Sequence, residues 1–341
     1  MSKKMKKNYL ICLIAVAIGF LLLCLLFDTG ILEKKSAYFN GLVVIGMFYT
    51  NIVCSLNLLT GYMGEFSLGH AGFMSIGAYA SAIVTTLIQD QTDLPAVLLY
   101  LIAIIVGGLA AGLIGVLVGI PALRLSGDYL CIVTVAVAEI VRVVLSNFGI
   151  PTITGKATFG KSFAGIAKVS DYHYVYITMV ICIFVMYCYI RSRYGRALIA
   201  IREDRIAAAA SGINVTKTKV LTFTISAFFA GVSGAIYAHY ITTLVPTYFN
   251  FSKSSEFLAI VILGGSGSLT GSIVAAPILS ALPQLISYVV PAFASYRMLI
   301  YAIILVVVMI FKPTGLFGGR EFSLPKLIDK ITEKKTPKEK R

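Results

Sequence analysis

Nine stretches of this chain are each long and apolar enough to cross a bilayer, near residues 9–27, 38–59, 66–88, 95–119, 128–147, 173–190, 219–241, 270–290 and 295–311. A segment inside about 30 Å of hydrocarbon must satisfy its own backbone N–H and C=O groups, and only helices and closed barrels do so. Runs of about 20 apolar residues without strict alternation select the helix. The remaining composition agrees: 58% of residues are hydrophobic and 13% charged, against about 25% charged in a soluble domain. A soluble globular protein is excluded, and the expected fold is all-α, a polytopic membrane helix bundle.

A shorter apolar run near 256–265 ends in Gly264-Gly265-Ser266-Gly267-Ser268 and reads as a broken or re-entrant helix. Counting it gives about ten transmembrane or re-entrant helices, which puts both termini on one side. Of the 29 Lys and Arg residues, 21 fall on that side: in the N-terminal arm, at Arg124, between residues 191 and 219, and in the tail. By the positive-inside rule that side is cytoplasmic. The expected organisation is a basic cytoplasmic arm over 1–8, a transmembrane domain over 9–311 containing a cytoplasmic loop at 191–218, and a basic cytoplasmic tail over 312–341. The run 9–27 is too long for a signal-peptide core and lacks an A-x-A-like site, so it is read as the first crossing. The net charge of +14 is spread between spans rather than gathered on one patch, which speaks for membrane lipid and against nucleic acid. The six cysteines lie in apolar runs without metal-ligand spacing, so no metal site is expected.

Four polar features stand out. In the glycine-rich passage Gly61–Phe73, Ser67, Gly69 and His70 are candidates to line a transport pathway, because irregular backbone at membrane depth is tolerated where it borders a wet cavity or is buried by protein. The same passage also reads as a tight turn. Glu139 and Arg142, at i and i+3 within a span, are expected to pair and face the bundle interior, either as a polar strip beside the pathway or as a self-neutralised structural pair. Gly155–Ser162 satisfies the phosphate-binding pattern G-x-x-x-x-G-K-[ST], but it follows a membrane helix instead of a strand and no soluble α/β domain accompanies it. It is read as coincidence. In the loop 191–218, Arg196 anchors at the headgroups and Ala197–Ser211 reads as one short helix capped by Gly212. Its charged turn, Arg202, Glu203, Asp204 and Arg205, suits either docking on a partner or simple solvation.

These passages carry a resemblance. Leu59-Thr60-Gly61-Tyr62-Met63-Gly64, Ser67-Leu68-Gly69-His70-Ala71, Pro121 to Tyr129, Glu139-Ile140-Val141-Arg142, Gly195 to Asp204 and Leu263 to Gly271 are similar to the permeases of branched-chain amino-acid ABC importers, in particular the LivM-type subunit. The resemblance runs in order over roughly residues 40–315. It implies a multi-pass subunit of the bacterial cell membrane with no catalytic residue and no cofactor of its own. It implies four kinds of partner: a homologous second permease, two cytosolic ABC ATPases that carry ATP and Mg²⁺, an extracytoplasmic binding protein, and membrane lipid. Leucine, isoleucine or valine would be the cargo, although related permeases serve urea, short amides and other amino acids. It also implies that Arg196, Arg202, Glu203, Asp204 and Gly212 belong to the ATPase-coupling segment. Here Arg205 and Ala209 stand where the family usually carries carboxylates. The rival class is an ion-coupled secondary transporter using Glu139 or His70 as its proton-linked group. A membrane-embedded enzyme fits less well, because His70, His173 and His239 are scattered.

Overall fold

The computed structural model describes residues 36–89, 95–125, 127–147, 163–166, 168, 171–290, 295–312 and 315–316. The chain divides into two units, Leu42–Arg320 and Met1–Gly41 with Glu321–Arg341; apart from residues 36–41, the elements described below belong to the first. The expected crossing at 9–27, the basic arm, the 155–162 loop and all of the basic tail except residues 312, 315 and 316 lie outside the described residues.

Eleven α-helices make up the described residues almost entirely. Helix α1 (Ser36–Asn57) runs on into a π-helical turn, Leu58–Met63. It is followed by α2 (His70–Gln89), α3 (Ala96–Ala122), α4 (Asp128–Asn147) and α5 (Tyr172–Arg191). Two short helices, α6 (Arg193–Glu203) and α7 (Arg205–Ala210), lead to α8 (Val215–Ile241). Then come α9 (Phe251–Gly264), α10 (Leu269–Val289) and α11 (Arg297–Phe311). The one strand pairing among the described residues is antiparallel, β1 (Phe163–Ala164) with β2 (Thr243–Leu244).

Seven helical segments are long and apolar enough to cross a membrane. They coincide with seven of the nine expected crossings. The stretch at 295–311 forms a helix of 15 residues, about 22 Å long at the α-helical rise and short of a full crossing. Helix α9, with 14 residues, is shorter still, about 21 Å, in keeping with a broken helix.

The core is built around α1 and α8, of which 89% and 72% of the spanning windows are buried, against 17% for α4 at the periphery. Lipid offers no hydrophobic force to pull helices together, so close backbone approach has to supply the packing. Small residues in α8 provide it. A Cβ on Gly77 of α2 would strike the backbone of Gly231, and one on Gly115 of α3 would lie 2.6 Å from the Ala227 Cβ. The opposite face of α3 carries Leu109, Leu113 and Leu117, all about three-fifths exposed. Glycine and leucine thus divide α3 into a packing face and an apolar outer face.

Candidate functional site

The sequence between α1 and α2 cannot stay helical, and the structure shows where it gives way. The π-turn ends at Gly64, whose φ of 75° is a left-handed conformation that glycine adopts without the penalty of a Cβ. The N–H groups of Gly64 and Glu65 both return to the Leu59 carbonyl. Residues 64–69 are then non-helical until α2 starts at His70, four residues later than the apolar run suggests. Depth follows from the partners on α8. Glu65 forms an ion pair with Lys219, and His70 Nε2 lies 2.9 Å from Ser226 Oγ. Counted from Val215, those positions lie about 6 and 16 Å along α8. The irregular stretch therefore climbs into the span.

Four polar side chains knit this broken segment to its surroundings. Asn57 Nδ2 donates to the Ser268 carbonyl (2.9 Å) and to Ser272 Oγ (2.8 Å), while its Oδ1 accepts from Gly267 N–H (2.9 Å). The turn between α9 and α10 is thus tied to the end of α1. Gly61 sits at the crossing point, where a Cβ would strike both Asn57 Oδ1 and the Gly267 nitrogen. Arg202, on α6, donates from Nη1 to the Gly61 carbonyl at 2.7 Å. Glu65 and Lys219 are enclosed, with side chains 10% and 5% exposed, so each is the other's charge compensation at a depth where water cannot serve.

Of the expected pathway residues, Ser67 is buried and its Oγ accepts from Gly69 N–H at 3.5 Å; Gly69 lies against the Thr134 carbonyl of α4. His70 is fully buried, and the Ser226 hydroxyl that contacts it donates onward to the Ser55 carbonyl. Glu139 and Arg142 do pair, at 2.6 Å, but with side chains 33% and 29% exposed. They lie on a half-open face of peripheral α4, not enclosed by the described residues.

The loop segment departs from its expected form. Ala197–Ser211 is not one helix, because Asp204 adopts an extended backbone (φ −153°) between α6 and α7, and its carboxylate accepts from the N–H groups of Ile206 and Ala207. A short acidic side chain competes for backbone donors and starts a helix better than it continues one. Asp204→Ala should therefore cost about 1 kcal/mol and fray α7, read as faster amide exchange confined to residues 205–210. Arg202 turns inward to Gly61, whereas the Glu203 side chain is 68% exposed. Arg196 Nη1 donates to the Arg191 carbonyl at the end of α5. Gly212, at φ 83°, closes α7: its N–H bonds to the Ala209 carbonyl and that of Ile213 to Ala208, a Schellman ending. Beside Asp204, Ile206 is 82% exposed, the largest apolar surface on α6 and α7. At the start of α6, Arg193 hydrogen-bonds the Tyr194 hydroxyl and lies 5.0 Å over its ring. That bond and the guanidinium charge hold the phenol below its usual range.

Asn57, Glu65 and Lys219 were not legible as site residues, since Lys219 reads as a boundary charge and lies 154 positions from its partner. The one signal was that Glu65 is the sole carboxylate in the glycine-rich passage.

The end of α1 thus meets the turn between α9 and α10 through Asn57 and the basic loop through Arg202, at one junction. The sequence profile for the branched-chain amino acid transport system permease component matches residues 38–309. The chain belongs to this family. The permease is 33% identical over 306 residues to the high-affinity branched-chain amino acid transport system permease protein LivM of Escherichia coli K12, covering 81% of this chain and 69% of that one. To LivH of Salmonella typhimurium it is 26% identical over 306 residues, 83% and 95% of the two chains. To the ribose import permease protein RbsC of Haemophilus influenzae it is 23% identical over 291 residues, 82% and 83%. No solved structure matches it. The permease is a multi-pass protein of the cell membrane and a component of a transport system.

Proposed function

We propose that the permease is one of two homologous membrane subunits of an importer for leucine, isoleucine or valine. Two cytosolic ATPases carrying ATP and Mg²⁺ drive it, and an extracytoplasmic binding protein supplies it. The observation that carries this reading is the Arg202–Gly61 hydrogen bond of 2.7 Å. Movement of α6 and α7 by an ATPase reaches the broken helix, and through Asn57 the α9–α10 turn, without crossing solvent. Arg196, Glu203, Asp204 and Gly212 shape the loop that meets the ATPase, and Arg202 is its internal lever. Ile206, four-fifths exposed, is the apolar anchor for a groove on that partner. With the 191–218 loop on the cytoplasmic side, about ten crossings place the 1–8 arm and the 312–341 tail there too, flanking a transmembrane domain over 9–311.

Ser67, Gly69 and His70 belong to the pathway in this reading. Glu139 and Arg142 complete it from α4: charges at mid-span cost about 2.5–3.5 kcal/mol each against lipid, so their half-open face needs protein or water beside it. A second permease meets that need, and the similarity to both LivM and LivH supports a two-permease arrangement.

The test is co-purification. Tagged permease with Ile206→Asp should lose the ATPases while keeping the second permease and its wild-type unfolding midpoint. Retention of the ATPases at wild-type ratio removes the loop from the coupling interface. Single cysteines placed at Ser2 and Lys340 should react with an impermeant maleimide only after the cytoplasmic face is opened.

A further inference from the structure

A second polar cluster stands about 16 Å further along α9 from the junction, toward the side of the β1–β2 pairing. Lys253 and Glu256 project from the first turns of α9, and Lys253 Nζ donates to Glu256 Oε2 at 2.9 Å. The Lys253 ammonium also lies over two aromatic rings, 5.1 Å from that of Tyr49 and 4.8 Å from that of Tyr248. Tyr49 Oη donates to Glu256 Oε1 at 2.9 Å, and the Tyr248 ring stacks on Tyr237 with centroids 4.6 Å apart. From α11, Tyr301 closes the cluster. It is buried, its hydroxyl has no hydrogen-bond partner among the described residues, and it lies within electrostatic reach of Glu256.

This is more than a helix-stabilising ion pair needs. An ammonium has three donors and each carboxylate oxygen two acceptor positions; only one donor of Lys253 and one position on each Glu256 oxygen are engaged by these bonds. The side chains keep 16% and 19% exposure, so the pair is not sealed from solvent. Aromatic faces stabilise cations generally, and an α-amino acid carries its ammonium and carboxylate on a single carbon. Opening one ion pair and closing two antiparallel ones, ligand carboxylate on Lys253 and ligand ammonium on Glu256, conserves charge throughout.

We propose that Lys253, Glu256, Tyr49, Tyr248 and Tyr301 form a binding site for the zwitterionic backbone of a free amino acid, with the Tyr301 hydroxyl accepting from its ammonium. The site reads the group common to all amino acids, not the side chain. The inference rests on the importer reading above and extends it to a station on the opposite side of the span from the coupling loop.

The test uses the whole transporter in proteoliposomes with saturating loaded binding protein, measuring leucine uptake and ATP hydrolysis together. Lys253→Gln should lower uptake about tenfold while stimulated ATP hydrolysis stays within about twofold, because a charge-assisted contact to cargo is lost and the coupling loop is untouched. Lys253→Arg should recover part of the uptake. Tyr301→Phe deletes an oxygen without a partner among the described residues, so the unfolding midpoint should hold or rise while uptake falls about threefold. A purely structural pair would instead lower uptake and hydrolysis in parallel, and would leave Tyr301→Phe at wild-type uptake; either result overturns the proposal. If Lys253→Gln does not assemble, Tyr301→Phe alone decides. Loss of the variant effects in vesicles free of zwitterionic lipid assigns the site to a headgroup and also overturns it. If the wild-type complex imports leucine and the variants match it, only this inference falls; if wild type shows no ATP-dependent uptake, the importer reading falls and takes the inference with it.

Discussion

Glu65→Ala or Lys219→Ala should each destabilise the permease by about 3–5 kcal/mol, because truncating one member of an enclosed ion pair strands the other charge. Both side chains are at least nine-tenths buried, and the pair ties the irregular 64–69 stretch to α8 inside the span. The double replacement Glu65→Leu with Lys219→Met removes both charges and keeps most of the volume. It should cost far less than either single change. Detergent-titrated unfolding of the purified permease measures all three. Single substitutions no more harmful than the double one would show that the two groups do not compensate each other.

Arg202→Ala should cut transport about tenfold or more while the ATPases remain bound and continue to hydrolyse ATP, since the charge-assisted bond to the Gly61 carbonyl is the direct link from the loop to the broken helix. Arg202→Lys should restore only part of the activity. The guanidinium bonds Gly61 from Nη1 and Glu203 from Nε and Nη2 at the same time, which a single ammonium on a flexible stem cannot reproduce. The companion change Gly61→Ala inserts a Cβ into Asn57 Oδ1 and the Gly267 nitrogen. It should part the two broken segments and abolish transport even with Arg202 present. Uptake and ATP hydrolysis measured on the same vesicles separate these outcomes; equal loss of both in Arg202→Ala would make the residue a structural prop and not a link.

Much of this architecture was legible because a membrane span announces itself locally. Twenty apolar residues suffice, with no knowledge of neighbours, so seven expected crossings match seven helical segments. The non-helical passage 64–69 was legible for the same reason, through its glycines. What escaped depends on which face of a helix meets which neighbour. Arg202 sits in a charged turn that reads as outward, and only the packed structure turns it toward Gly61. Asp204 looked like one more charge in that turn, yet its capping bonds divide the helix in two. Glu139 and Arg142 paired as their spacing indicates, but the openness of α4 is a property of the whole bundle. Glu65 and Lys219 find each other across 154 positions, a separation at which periodicity carries no information.

In the importer reading this chain works as the membrane half of an ATP-driven transporter. Labelled leucine uptake into proteoliposomes containing the permease, its homologous partner, the two ATPases and the binding protein tests it directly, with hydrolysable ATP or a non-hydrolysable analogue inside and the proton gradient collapsed. Accumulation with ATP and none with the analogue is the expected result. Uptake that persists with the analogue and follows an imposed proton gradient would contradict it and return His70 and Glu139 to the role of proton-linked groups.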